Sequence, residues 1–287
     1  MNRVDVAIVG AGPAGISAAI NCKIRNKSMI LFGNGMLSDK VAKAELINNY
    51  PGLQGMSGAE FNAGLKEHLD SLEINITEEK VTQIYPMQDY FAIMTPDNQY
   101  EAKTVIMAVG VDAKKAIPGE KEFLGRGVSY CATCDGNLYR GRTIAVICEG
   151  ESMEEEVEYL ATLAAKTYFL PMYTKNNLPV NVEKISGQVQ KIVGNDVVSG
   201  ILTTEGEYRV DGVFFLKNTV SADILLPGLE AKEGHIVVDR DMATNIAGCF
   251  AAGDCTGRPY QYAKAVGEGN VAAHSIIEYL DNKTGRA

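Results

Sequence analysis

The sequence of 287 residues has room for about two domains at roughly 100–200 residues each, and its 46% hydrophobic and 22% charged residues exclude a disordered, collagen-like or coiled-coil chain. The 27 Lys and Arg against 36 Asp and Glu give a net charge of −9 without a basic tract, which argues against nucleic acid as a partner. No stretch reaches the ~18 uncharged apolar residues that span a bilayer, so we expect a cytoplasmic protein with no membrane partner.

The N-terminus has the pattern of a dinucleotide-binding turn. A β-branched strand, Val4–Val9, leads into a turn with glycine at positions 10, 12 and 15, and residues 16–23 follow as a predicted helix. Gly10 permits the tight turn, Gly12 lets a pyrophosphate approach the backbone, and Gly15 lets the helix pack closely on the strand. The helix N-terminus supplies N–H groups to the anion. In this context the turn predicts a bound dinucleotide.

The next strand, residues 28–32, lacks a feature of NAD-binding folds. Such folds carry an acidic residue about 20 positions after the glycine turn, where it binds a ribose hydroxyl. Gly33 and Asn34 stand there in this sequence. The departure weakens an NAD interpretation and leaves FAD open.

A second strand-turn-helix pattern runs through residues 143–165, but without the chemistry of a nucleotide site. Cys148 and Met153 occupy the first and last glycine positions, which predicts a strained turn and an obstructed helix. Residues 143–208 contain four Lys, no Arg and ten Asp or Glu, and five of these acids crowd the start of the helix. Carboxylates there compete with a phosphate for the helix dipole, so we expect a pyridine nucleotide to be repelled.

Two of the six cysteines have a telling spacing. Cys131 and Cys134, in the run Cys-Ala-Thr-Cys, fit a redox dithiol or half of a zinc site. A zinc site needs a second short-spaced cluster of ligands, and the sequence has none, so we predict a dithiol and no metal. The remaining cysteines are interpreted as structural residues: Cys22, Cys148, Cys249 and Cys255.

The C-terminal part returns to cofactor chemistry. A short apolar strand ends in Gly253 and Asp254, and a helix is predicted from about Tyr262 to Tyr279. An aspartate at a strand end can bind a ribityl or ribose hydroxyl. The helix, entered through Gln261, Tyr262 and Ala263, can aim its N-terminus at an isoalloxazine carbonyl. Both ends of the chain therefore predict one FAD domain.

Four motifs together resemble the low-molecular-weight thioredoxin reductases, a flavin-dependent family, in order along nearly the whole chain: Gly10–Gly15, Asn49-Tyr50-Pro51-Gly52, Ser129–Gly136 and Ala252-Gly253-Asp254. The resemblance implies an α/β chain of two Rossmann-like, three-layer ββα domains. A discontinuous FAD domain, residues 1–113 and 243–287, is interrupted by a smaller dithiol domain, residues 114–242. It also implies a homodimer and a thioredoxin partner.

The departures from the family point to the electron donor. NADPH-dependent members have a GxGxxA turn in the central domain and an arginine-rich segment where this chain has residues 168–175, and neither is present. The sequence thus resembles the ferredoxin-dependent flavin thioredoxin reductases, which implies FAD, ferredoxin as a partner and no NAD(P)H. Two alternatives stay open: an NADPH-dependent reductase with a divergent site, and a flavin redox sensor that does not turn over.

The resemblance also implies the site residues. Cys134 receives electrons at the flavin, Cys131 exchanges with thioredoxin, and Asp135 acts as the acid-base, although a plain turn role for Asp135 stays open. A domain rotation is expected between reduction of the dithiol and exchange with thioredoxin, with hinges where the chain passes between the domains, near Asp112–Pro118 and Asp239–Thr244. The residues implied to contact FAD are Gly10, Gly12, Pro13, Ala14, Gly15, Gly33, Lys40, Asn49, Val81, Gly110, Gly253, Asp254, Gln261, Tyr262 and Ala263.

Overall fold

The chain forms two compact units. The structure is a computed structural model that describes residues 3–35, 37–42, 44–111, 117–173, 180–217 and 222–284. Unit 1 comprises residues 1–111 and 221–287, and unit 2 comprises residues 112–220. A discontinuous domain interrupted by a smaller one is therefore present, as the sequence predicts.

The secondary structure follows in chain order. The first segment contains β1 Val4–Val9, α1 Pro13–Ile24, β2 Met29–Phe32, α2 Asp39–Ala42, α3 Gly58–Ser71, β3 Ile76–Thr77, β4 Gln83–Pro86, β5 Phe91–Met94 and β6 Gln99–Met107. The central segment contains β7 Val128–Ser129, α4 Ala132–Asp135, β8 Thr143–Cys148, α5 Glu154–Leu163, β9 Lys166–Pro171, β10 Val182–Lys184, β11 Val189–Gly194, β12 Val198–Thr203, β13 Gly206–Arg209 and β14 Gly212–Leu216. The last segment contains α6 Ala222–Leu225, β15 Ala231–Lys232, β16 His235–Ile236, β17 Cys249–Ala251 and α7 Tyr262–Thr284.

Unit 1 has a Rossmann-like parallel sheet that is extended by an antiparallel meander of β4, β5 and β6. Within the described residues, its sheet has seven strands in the order β3-β2-β1-β6-β5-β4, and β17 pairs with β6. Strands β1, β2, β3, β6 and β17 are parallel, whereas β4 and β5 are antiparallel. Parallel strands place their carboxyl ends at one edge, so the turns after β1, β2 and β17 share the edge where ligands bind in such sheets.

Helices α1 and α7 join the two ends of unit 1. The Ser17 hydroxyl donates to the carbonyl of Val266 at 2.8 Å. A Cβ on Gly269 would lie only 2.1 Å from the carbonyl oxygen of Ala14, so the helices approach at a point where no side chain fits. The buried residues of both helices share one apolar cluster with β1, β2, β6 and β17. The N-terminal and C-terminal segments therefore form one core.

Unit 2 repeats the Rossmann-like pattern on a smaller scale. Its five-stranded sheet, counted over the described residues, has the order β10-β9-β8-β14-β7, and each pairing is parallel. A separate antiparallel sheet joins β11, β12 and β13. Helix α5 packs on the parallel sheet through Val157, Leu160 and Ala161, which are buried. The predicted α/β class is confirmed for both units.

The second boundary between the two units lies earlier in the chain than the predicted boundary at residues 242/243, because residues 221–242 group with unit 1. The Gln83 side-chain amide donates to the carbonyls of Ile224 and Leu225, both at 3.2 Å. The stretch Asp239–Thr244, predicted as a hinge, is tied to β17 through the bond from the Ala251 N–H to the Met242 carbonyl, 3.0 Å. Of the other predicted hinge, near Asp112–Pro118, residues 112–116 lie outside the described residues.

In the part of the chain that the structure describes, no helix has both the length and the apolar character needed to cross a bilayer.

Two glycines of α7 give a matched test of the helix contact. Gly269→Ala forces a methyl group onto the Ala14 carbonyl, and overpacking of this kind costs about 1–3 kcal/mol, so the melting temperature should fall. Gly267 has no atom within 4 Å of its Cβ position. Gly267→Ala should therefore raise the melting temperature, because Ala is favoured over Gly in a helix by roughly 0.5–1 kcal/mol. Thermal melts of both variants check the opposite signs; equal shifts would contradict the close contact.

Candidate functional site

The glycine turn after β1 has the geometry that a dinucleotide requires. Gly10 has φ +119°, which L side chains rarely adopt, and a Cβ there would lie 2.2 Å from the Ala108 carbonyl oxygen. A Cβ on Gly15 would lie 1.8 Å from the Gly10 carbonyl oxygen, so this glycine brings α1 against the strand. Gly12 has no atom within 4 Å of its Cβ position, which leaves its backbone open. Pro13 follows as the first residue of α1.

The end of β2 is closed to side chains. A Cβ on Gly33 would lie 2.3 Å from the Cβ of Ala11 and 2.8 Å from its backbone nitrogen. The Gly10 N–H donates to the Phe32 carbonyl at 2.9 Å, which holds the turn against this strand end. An acidic residue at position 33 would collide with the glycine turn, so the lack of such a residue after β2 has a steric cause.

Two side chains of α7 hold the turn that follows β17. Gly253 has φ +90°, and a Cβ there would lie 2.9 Å from the Cβ of Ala14. Its N–H donates to Glu268 at 2.9 Å, and its carbonyl accepts from Lys264 at 2.8 Å. The Lys264 ammonium also donates to the Gly257 carbonyl at 2.7 Å and pairs with Glu268 at 3.1 Å. This pair therefore fixes the backbone on either side of Asp254, which is half-buried.

Sequence reasoning missed Lys264 and Glu268. Their i,i+4 spacing on a predicted helix was a signal for an ion pair. Nothing in the spacing indicated that both side chains reach back to the turn around Gly253.

Residues from distant segments meet at the start of α7. The Asn49 side-chain amide donates to the side-chain oxygen of Gln261, so two predicted cofactor residues lie in contact. The ring of Tyr262 packs against Phe61 at 5.8 Å between centroids, and Phe61 contacts Tyr50. The aromatic group thus anchors the start of α7 to the segment that carries Asn49.

The other predicted cofactor residues also belong to unit 1. Ala14 is buried in the first turn of α1. Val81 is buried, Gly110 has φ +69°, and Ala263 is half-buried in the first turn of α7. The backbone of Lys40 lies in α2, and its side chain is outside the described part of the structure.

Unit 1 fits the FAD that its sequence predicts. The open backbone at Gly12, beside the N-terminus of α1, can receive a pyrophosphate. Gly253 and Asp254 lie at the end of β17, at the same edge of the sheet. The residues present therefore suit a dinucleotide laid along the carboxyl ends of the strands.

The dithiol lies in unit 2 at the start of α4. Cys131 and Cys134 form a disulfide. Cys131 is 7% exposed, whereas Cys134 is exposed. The Cys134 N–H donates to Cys131 Sγ at 3.1 Å, and the Thr133 hydroxyl lies 3.5 Å from the same sulfur. After reduction, these donors would stabilise a thiolate on Cys131.

A buried charged group anchors the chain just before the dithiol. Glu120 is 1% exposed and accepts from the Tyr130 hydroxyl and from Lys217. Its other oxygen accepts from the Ile117 N–H at 2.7 Å. The sequence did not reveal this group. Removing one member of a buried ion pair costs about 3–5 kcal/mol, so Glu120 fixes the approach to Cys131 firmly.

The strand-turn-helix of unit 2 differs from the glycine turn of unit 1. Cys148 takes no positive φ, so the strain predicted there is wrong; the chain adopts another turn instead. A 3-10 turn, Glu151–Met153, separates β8 from α5, and Met153 is buried in the apolar cluster. The Tyr173 hydroxyl donates to Cys148 Sγ at 3.8 Å and also bonds Glu154. Side chains of the unit itself therefore occupy the turn.

The four remaining cysteines are buried free thiols. Burial raises the pKa of Cys22, Cys249 and Cys255 to about 12 in each case. Burial also raises the pKa of Cys148. Since the thiolate is the reactive form, these cysteines behave as apolar residues at neutral pH, in agreement with the sequence interpretation.

The described residues contain no group of three or more His, Cys, Asp or Glu side chains placed to hold a metal ion.

A Rossmann-like unit with an open glycine turn, joined in one chain to a second such unit carrying a Cys-x-x-Cys disulfide, defines the class of two-domain disulfide oxidoreductases. A sequence profile of the pyridine nucleotide-disulphide oxidoreductases matches residues 4–150 and 165–269. The thioredoxin reductase of Treponema pallidum is 35% identical over 306 residues, which cover 96% of this chain and 97% of that protein. That of Bacillus subtilis is 31% identical over 302 residues, which cover 96% and 95%.

Solved structures of thioredoxin reductases also match this chain. The crystal structure of a ferredoxin-flavin thioredoxin reductase from Clostridium acetobutylicum shares 48% identity, with a TM-score of 0.91 over 100% of both chains. A thioredoxin reductase from Gloeobacter violaceus shares 26% identity, with a TM-score of 0.79 over 99% of this chain and 96% of that one. The chain therefore belongs to the pyridine nucleotide-disulphide oxidoreductase family, among its thioredoxin reductases.

Differential alkylation tests the cysteine assignments. In the native protein, iodoacetamide should label none of the six cysteines before reduction, because two are joined and four are buried with raised pKa values. After mild reduction, the label should appear only on the peptide that holds Cys131 and Cys134. Mass spectrometry of peptides locates it, and a denatured sample serves as the control for full labelling. Rapid native labelling of Cys148 or Cys255 would contradict the structural role.

Proposed function

We propose that this chain is a ferredoxin-dependent flavin thioredoxin reductase that binds FAD in unit 1. Electrons from reduced ferredoxin end on the Cys131–Cys134 disulfide, and the dithiol then reduces thioredoxin. The observation that carries the proposal is the turn of unit 2, which is filled by the side chains of Cys148, Met153 and Tyr173. The similarity to the ferredoxin-flavin thioredoxin reductase of Clostridium acetobutylicum, at 48% identity, supports the same donor.

The filled turn disfavours NAD(P)H for two physical reasons. A pyrophosphate needs close access to the backbone, which Met153 and the Tyr173–Cys148 contact obstruct. The first turn of α5 also carries three carboxylates, Glu154, Glu155 and Glu156. Their negative charge already satisfies the helix dipole and repels a phosphate.

The residues predicted to hold FAD would each bind a different part of the cofactor. The turn from Gly10 to Gly15 and the N-terminus of α1 would hold the pyrophosphate. Asp254 would accept a hydrogen bond from a hydroxyl of the ribityl chain, while Lys264 and Glu268 hold the backbone of the preceding Gly253. FAD, when bound, supplies a group that accepts single electrons and releases pairs, as a disulfide requires. Two ferredoxin encounters then serve one turnover.

The two cysteines have separate roles in this proposal. The Cys131 thiolate attacks the thioredoxin disulfide, forming one mixed disulfide and releasing one thioredoxin thiolate. Cys134 then attacks Cys131 Sγ, which restores the Cys131–Cys134 disulfide and releases reduced thioredoxin. The hydrogen bonds that Cys131 Sγ receives in the oxidised state support its role as the attacking thiolate. Because Cys131 is only 7% exposed, exchange requires a conformational change that uncovers it.

Asp135 is proposed as the proton donor and acceptor for these exchanges. It ends α4 directly after Cys134, and its side chain is half-buried. The thiol that leaves in each exchange must be protonated, and the dithiol must lose a proton before it attacks. An acid-base group at this place contributes on the order of 10²-fold or more to such a transfer.

Anaerobic flavin absorbance tests the electron donor. Reduced ferredoxin should bleach the flavin of the purified protein, and oxidised thioredoxin should restore the colour over many turnovers. NADPH and NADH, added separately in excess, should leave the spectrum unchanged on the same time scale, because the turn of unit 2 is filled. Rapid bleaching by NADPH would establish the divergent NADPH-dependent reductase instead. Bleaching by ferredoxin without repeated turnover of thioredoxin would favour a redox sensor.

Trapping of the mixed disulfide tests the cysteine roles. A thioredoxin that keeps only its exposed cysteine, activated as a mixed disulfide with thionitrobenzoate, should be captured by the reduced Cys134→Ser variant through Cys131. The matched Cys131→Ser variant should capture it at least about tenfold more slowly, since its remaining sulfur lacks the thiolate-stabilising donors. Adding Asp135→Asn should slow the capture without moving the adduct. An adduct that forms faster on Cys134 would reverse the assigned roles.

A further inference from the structure

The end of β2 lacks an acceptor for ribose hydroxyls, and its neighbour β3 offers one. Gly33 cannot carry a side chain because of its contact with Ala11. Strand β3 runs parallel to β2, with Phe32 opposite Thr77, and the Gly33 N–H donates to the Thr77 carbonyl at 3.2 Å. The residue that follows β3, Glu78, therefore leaves the sheet at the same edge as Gly33.

The Glu78 carboxylate lies against the loop that follows β2. A Cβ on Gly35 would lie 2.3 Å from Oε1 of Glu78 and 3.1 Å from Oε2. Gly35 has no positive φ, so the loop does not need glycine there for its backbone conformation. The glycine instead leaves room for the carboxylate, which reaches the loop where NAD-type folds place their acidic residue.

Glu78 is exposed, and its carboxylate has no hydrogen-bond or ion-pair partner among the residues that the structure describes. The adjacent Glu79 accepts from Thr95 at 2.6 Å, from Tyr100 at 2.7 Å and from Asn98 at 3.0 Å. Glu79 therefore has a structural role in the meander. Glu78 holds both carboxylate oxygens available at the ligand-binding edge of the sheet.

We propose that Glu78 replaces the missing acidic residue of β2 and accepts hydrogen bonds from the 2′- and 3′-hydroxyls of the adenosine ribose of FAD. The inference rests on the proposed binding of FAD in unit 1. A carboxylate at this place favours an unsubstituted ribose and repels a 2′-phosphate. The acidic function is retained on the neighbouring strand, since the space at Gly33 is taken by the glycine turn.

FAD affinity of the full-length protein tests the inference. Glu78→Gln should raise the Kd for FAD about tenfold, the effect of losing a charge-assisted hydrogen bond. Wild-type protein should bind an FAD analogue without 2′- and 3′-hydroxyls at least about tenfold more weakly than FAD, and Glu78→Gln should cause no further loss with the analogue. Quenching of flavin fluorescence on reconstitution measures each Kd. Glu67→Gln removes an exposed charge from α3 and should leave every value unchanged.

A second variant tests the position of the carboxylate. Gly35→Ala places a methyl group where Oε1 of Glu78 lies, and the flexible side chain must move away. FAD binding should weaken as in Glu78→Gln, and the double variant should be no weaker than Glu78→Gln alone.

An unchanged Kd for FAD in Glu78→Gln, or an equal loss for FAD and the analogue, would overturn the role of Glu78. Ferredoxin-driven bleaching of the FAD-saturated variant would still proceed in that case, and the proposed function would stand. Failure of the wild-type protein to bind FAD would instead reject the proposed function.

Discussion

The contact between α1 and α7 is the interaction on which the rest of unit 1 depends. At Gly269 the helix backbone lies against the Ala14 carbonyl, and this approach brings the C-terminal segment onto the N-terminal glycine turn. The same helix carries Lys264 and Glu268, which hold the turn at Gly253. A cofactor edge assembled from residues more than 200 positions apart thus relies on a point where no side chain is tolerated.

The two units both contain a parallel strand-turn-helix arrangement, but they differ in the turn between the strand and the helix. In unit 1, glycines keep the backbone after β1 free, and the helix starts directly at the turn. In unit 2, a 3-10 turn stands before α5, Met153 enters the core, and Tyr173 reaches Cys148. Unit 2 has a parallel sheet, and its own side chains occupy the turn. The same unit carries the Cys131–Cys134 disulfide, and the buried carboxylate of Glu120 anchors the segment just before it.

Much of this arrangement follows from local sequence. The strand Val4–Val9, the glycine turn, the dithiol and the start of α7 at Tyr262 were all predictable, because each depends on patterns within about ten residues. The boundary near residue 221 was not, since the pairing of Gln83 with the carbonyls of Ile224 and Leu225 leaves no local signal. The role proposed for Glu78 left no local signal for the same reason, because it depends on which strand pairs with β2.

The discontinuity of unit 1 has a consequence for biosynthesis. Unit 2 is continuous and ends before residue 221, so all of its strands have been synthesised while the ribosome is still making the rest of the chain. Unit 1 lacks β17 and α7 until the last segment emerges, and its N-terminal apolar cluster stays uncovered for that time. All residues of the dithiol unit are therefore available to fold before β17 and α7 complete the sheet edge of unit 1.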